Sequence, residues 1–82
     1  MKSKFLKFMR LEFSRAYACC PKERWDIFII NEFNECDRDE AVEFTNRLIE
    51  NKYIAIDKRP NGDFVVITPW GYEMTKRGIL EV

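Results

Sequence analysis

The chain has 82 residues, 46% of them apolar and 34% charged, which is the length and mix of one small domain with one core. Fourteen Lys and Arg balance fourteen Asp and Glu, there is no His, and the net charge is zero. That excludes a uniformly basic nucleic-acid binder and an acidic disordered tail, yet residues 1–24 carry +5, residues 25–51 carry −6 and residues 52–82 carry +1.

Without His the chain lacks the usual general base and the commonest zinc ligand. Cys19, Cys20 and Cys36 are an odd set with one vicinal pair. That is a poor disulfide framework and points to a reducing, cytoplasmic setting with the thiols as small, partly buried apolar groups. Even with Asp37 beside Cys36 they fall short of a closed zinc site, and no metal, cofactor or small-molecule substrate is expected. The aliphatic and aromatic run Ile27–Ile30 is far short of the roughly 20 residues of a membrane span. Lys7, Arg10 and Glu12 interrupt the apolar region that a secretion signal needs.

Turn and breaker residues at Pro21, Cys36–Asp39, Arg59–Asp63 and Pro69 divide the chain. Residues 1–20 are expected to form an amphipathic helix. Phe5, Met9, Phe13, Ala16, Tyr17 and Cys20 lie on one face, with Lys4, Lys7, Arg10 and Ser14 opposite. Such a basic helix packs on a core more often than it lies on a membrane.

Residues 21–35 read as a core helix that opens with Pro21 as its first residue and Glu23 in its first turn. Trp25, Phe28, Ile29 and Phe33 share a face, and Ile27 and Ile30 widen it until the helix is apolar nearly all round. The β-branched, aromatic run also allows a strand over Trp25–Ile30.

Residues 37–51 form the third expected helix. Asp37 and Glu40 have the spacing of a capping pair, and Ala41, Phe44, Leu48 and Ile49 form the buried stripe. Asn51 suits a left-handed helix end. Residues 53–68 read as a hairpin around Pro60-Asn61-Gly62, with Ile54 and Ile56 on one face opposite Val65 and Ile67. A short helix over 69–78 follows, with Thr68 as its cap, Trp70 and Met74 inward, and Gly78 at its end. Gly71 inside that helix implies a close backbone approach.

The fold class is therefore α+β: three helices, a two-stranded hairpin and a short last helix. Leu48-Ile49-Glu50-Asn51-Lys52-Tyr53-Ile54, the Asn-Gly turn and Thr68-Pro69-Trp70-Gly71 resemble the C-terminal half of winged helix-turn-helix domains of the MarR and PadR type. Small winged-helix proteins of phage or prophage are similar too. The resemblance covers about Asp37 to Gly78. It implies a single winged-helix domain whose third helix enters the major groove, whose hairpin is the wing, and whose terminal helices pair two copies through Phe5, Met9, Phe13 and Tyr17.

On the helix, Glu43 can accept from cytosine, and Asn46 and Arg47 can read adenine or guanine. On the wing, Lys58, Arg59 and Asn61 would contact DNA, with Lys52, Lys76 and Arg77 as further phosphate anchors. The expected function is a DNA-binding transcriptional regulator of phage, prophage or bacterial type. Two features depart from that pattern. Little chain separates the Trp25 segment from the third helix, so the supporting helix is shortened or merged with that segment. The outer face of the third helix, with Glu40, Glu43, Arg47 and Glu50, is acidic. The alternative is a protein-interaction winged helix that uses this acidic helix or an aromatic patch of Trp70, Tyr72, Tyr17 and Tyr53. Catalysis is not expected, because the carboxylates from Asp37 to Glu43 lack a His, a nucleophile–base pair or a phosphate loop.

Overall fold

In the computed structural model, which describes residues 1–82, four helices pack on a three-stranded antiparallel sheet. The order is α1 (Lys2–Glu12), β1 (Cys19–Pro21), α2 (Lys22–Glu32), a 3₁₀ turn (Glu35–Asp37), α3 (Arg38–Glu50), β2 (Ile54–Arg59), β3 (Gly62–Ile67) and α4 (Pro69–Arg77). The fold is α+β.

Helix α1 is shorter than the expected residues 1–20. It ends at Glu12, Phe13 is extended, and Tyr17 takes a left-handed φ of 67°. The cause lies across the molecule. The free edge of β3 needs backbone partners. Residues 17–21 supply them: Tyr17 N–H donates to the Ile67 carbonyl, Ile67 N–H donates to the Ala18 carbonyl, and Cys20 pairs with Val65. The sheet therefore has three strands in the order β1-β3-β2, where the sequence suggested two. A third strand stabilises a hairpin that is marginal alone.

The Trp25 segment is helical, not a strand, and Pro21 is its cap residue and not its first turn. Trp25, Phe28 and Ile29 are buried, but Ile27 and Ile30 are 47% and 53% exposed. The helix is thus one-sided. Its last carbonyls are closed by cations, as the helix dipole favours. Arg38 donates to the carbonyls of Ile30 (3.1 Å) and Phe33 (3.3 Å), and Lys4 Nζ donates to that of Glu32 (2.6 Å).

The Asp37–Glu40 capping pair does not form. Asp37 already has right-handed backbone angles at the end of the 3₁₀ turn and makes no capping bond, whereas a capping residue needs extended angles. Ala41, Phe44, Thr45 and Leu48 face the core. At the far end Asn51 stays right-handed and its side-chain amide donates to the Arg47 carbonyl (2.8 Å), while Lys52 takes the left-handed position (φ 65°).

Sixteen apolar residues form one buried cluster. Phe5 sits among Trp25, Phe28, Phe33 and Phe44 with ring centroids 4.6–5.9 Å away. The one polar chain in this region is closed: Trp25 Nε1 donates to Thr45 Oγ1 (3.1 Å), which donates to the Ala41 carbonyl (3.0 Å).

Helix α4 follows the sequence at both ends. Thr68 Oγ1 accepts from Gly71 N–H (2.9 Å), and Gly78 closes the helix left-handed. Its fully buried residues are Gly71 and Thr75, and Met74 packs half-buried against the core as expected. Trp70 is 52% exposed and stacks on Tyr53.

Candidate interaction surface

The side chains of α3 divide by angle. Residues 41, 44, 45 and 48 point inward, and Val42 and Ile49 face α2. The outermost strip is Asp39, Glu43, Asn46 and Glu50, all exposed. Arg47, beside it, lies 3.7 Å from Glu43 as an exposed ion pair, which holds its charge locally but contributes little stability. Of the helix residues expected to read bases, Glu43, Asn46 and Arg47 are therefore accessible, but they sit on a net-negative strip.

The hairpin tip is a two-residue turn, Pro60-Asn61, with Gly62 at φ 129°. Lys58 and Asn61 are exposed and their side chains make no hydrogen bond or ion pair with the rest of the chain. Arg59 is exposed but held against the hairpin. It donates to Asp57 (2.9 Å), lies over the Phe64 ring (4.3 Å) and reaches Cys19 Sγ (3.8 Å). The Asp57 hydrogen bond holds its guanidinium above the usual arginine range.

The expected phosphate anchors are dispersed. Lys76 and Arg77 both bind Glu73 (3.6 and 3.2 Å) on α4, and Lys52 lies in the turn before β2. The cations of the N-terminal third are dispersed too, with Lys22 and Arg24 beside the strand that pairs with the hairpin and Lys4 at the far end of α2. Four of these seven cations have internal partners: Lys4 on the end of α2, Arg10 on the Thr75 carbonyl (3.0 Å) at the end of α4, Lys22 on Asp26, and Arg24 on Glu12 (2.7 Å). Glu12 holds Arg24 above the usual arginine range, first by its hydrogen bond and then by its charge. The eleven residues of α2 span about 16 Å. Lys4 sits at the C-terminal end of α2, whereas Pro21, paired with Phe64 of the hairpin, adjoins its start.

The expected pairing seam is largely internal. Phe5, Met9 and Phe13 belong to the core, where they complete its aromatic centre, and only Tyr17 (72%) is exposed. The suggested aromatic patch loses Tyr53, which is buried, and Tyr72, which is partly buried and donates to the Ser14 carbonyl (3.0 Å). Trp70 and Tyr17 remain outside. Sequence periodicity missed the exposed trio Ile27, Ile30 and Val42, because it assigned the two isoleucines to the core. The signal available was their spacing, which falls opposite Trp25 and Phe28 on a helical wheel.

The cysteines are separate in role. Cys19 and Cys36 are exposed, and Cys20 is buried. Burial, reinforced by Glu12, pushes the Cys20 thiol up to about 11. No three His, Cys, Asp or Glu side chains are grouped to hold a metal ion, and no helix is long and apolar enough to cross a membrane. No family model, curated protein or solved structure matches this chain.

Proposed function

We propose that the chain is a winged-helix domain that acts by protein contact, with the outer face of α3 as its contact surface. The fold reading is supported by the order helix, strand, helix, helix, strand, strand and by the sheet order β1-β3-β2. In that arrangement α2 is the supporting helix and the 3₁₀ turn is the helix-turn-helix turn. The functional reading is carried by one observation: the strip that a winged helix would insert into a DNA groove presents Asp39, Glu43 and Glu50. DNA affinity comes mostly from cations at phosphates, and three carboxylates oppose it.

Lys58 and Asn61, free at the hairpin tip, favour a second reading in which the wing touches a nucleic-acid backbone. The two are separated by measuring binding to a mixed pool of labelled duplexes at low and moderate salt. The protein-contact reading expects no retardation that depends on α3. In cells, carboxylate-to-amine cross-linking should join Asp39, Glu43 or Glu50 to lysines of a partner, and Glu43→Lys should abolish it. Salt-sensitive DNA retardation whose base preference changes in Arg47→Ala would overturn the reading in favour of the regulator.

A further inference from the structure

Between α2 and α3 lies a notch of about 190 Å³, lined by Trp25, Ile29, Val42, Ile49, Ile56 and Asp26, among others. We infer that this notch receives one large apolar side chain of a basic amphipathic helix belonging to another protein. The inference rests on the protein-contact reading of α3 and names the partner's chemistry.

Three observations converge on that occupant. The first is apolar surface without a cover: Val42, 48% exposed, stands at the rim, and Ile29, Ile49 and Ile56 line the notch beneath it. The second is charge. The rim adjoins the strip of Asp39, Glu43 and Glu50 on α3. The one cation lining the notch, Lys22, is already paired with Asp26. A complementary ligand is therefore apolar on one face and positively charged beside it. The third is shape. The notch is a groove between two helices, where the ridge of a third helix fits, and its volume suits one anchor residue. Helix-in-groove recognition has this form, with apolar anchors at helical spacing. DNA fits none of the three.

The probe is a fluorescent peptide of Lys and Leu arranged at helical spacing, with the same composition in scrambled order as its control. Binding is followed by anisotropy on the full chain. The helical peptide should bind at least tenfold more tightly than the scrambled one. Val42→Lys should weaken it at least tenfold, and because Val42 is exposed the variant should keep the thermal unfolding of the parent. Glu43→Lys should also weaken it and reduce its salt dependence. Equal binding of helical and scrambled peptides overturns the inference. If Glu43→Lys weakens binding and Val42→Lys does not, the notch is not the seat, and the acidic-face reading stands without it. If neither variant changes binding, both fall.

Discussion

A Cβ placed on Gly71 would lie 1.9 Å from the carbonyl oxygen of Tyr53. Helix α4 thus crosses the start of β2 backbone to backbone. The same carbonyl accepts from Thr68 N–H (3.1 Å) and from Thr68 Oγ1 (3.1 Å), and Thr68 Oγ1 also reaches the Lys52 carbonyl (2.6 Å). The Thr-x-x-Gly phrase is a clamp that fixes α4 on the hairpin.

Gly71→Ala should therefore destabilise the chain by about 3 kcal/mol or more, above the usual range for overpacking because the obstacle is backbone. Urea denaturation measures it. Tyr53→Ala in the same chain should give no rescue, since the clash is with main-chain atoms; recovery of stability in that double variant would refute the geometry.

Thr68→Ala removes both the cap of α4 and the hydroxyl tie to the Lys52–Tyr53 turn. The expected loss is about 1–2 kcal/mol. Thr68→Ser keeps the oxygen and should retain most of the stability in the same denaturation experiment.

Two buried threonines should respond differently to the same change. Thr45→Val leaves the Trp25 indole N–H without its acceptor and should cost about 1–3 kcal/mol. Thr75 is 3% exposed and its hydroxyl has no partner. Thr75→Val removes an unsatisfied polar atom at nearly equal volume, so it should be neutral or stabilise by up to about 1 kcal/mol. Thermal unfolding of both variants checks the pair, and a loss in Thr75→Val would show that its hydroxyl is bonded.

Stability should fall as pH rises from 9.0 towards 11. The Cys20 thiol is pushed up from 9.0 to about 11, mainly by burial and then by Glu12, against a lowering by Arg24. Above pH 9 the unfolded chain releases this proton while the folded chain keeps it. The unfolded state then binds fewer protons, and unfolding becomes easier with pH. Cys20→Val should have a flatter stability profile across that window. At neutral pH a thiol reagent should label Cys19 and Cys36 in the native protein and reach Cys20 only on unfolding.

Local pattern in the chain carries the α+β class, the inward stripe of α3, the Pro-Asn-Gly hairpin and the Thr68 and Gly78 caps. Each depends on local periodicity or on a residue with a special backbone preference. Gly71 belongs with them: a glycine that costs helix stability signalled the close approach to Tyr53. The acidic face of α3 was legible in part: helical spacing put Glu43 and Glu50 on it beside Glu40 and Arg47, whereas the outermost strip of the folded helix holds Asp39 and Asn46 in place of those two.

The rest depends on packing between distant segments. The end of α1 at Glu12 and the strand Cys19–Pro21 are set by the open edge of β3, more than forty residues away. The face of α1 with Phe5, Met9 and Phe13 is core and not a seam because it meets Trp25, Phe28, Phe33 and Phe44 within the chain. The zero net charge resolves in the same way. Summation along the sequence gave its polarity, but Lys4, Arg10, Lys22 and Arg24 are taken up by helix ends and carboxylates that only folding brings to them. An ion pair or a buried aromatic face depends on what lies across the molecule, and that relation has no local signature in the chain.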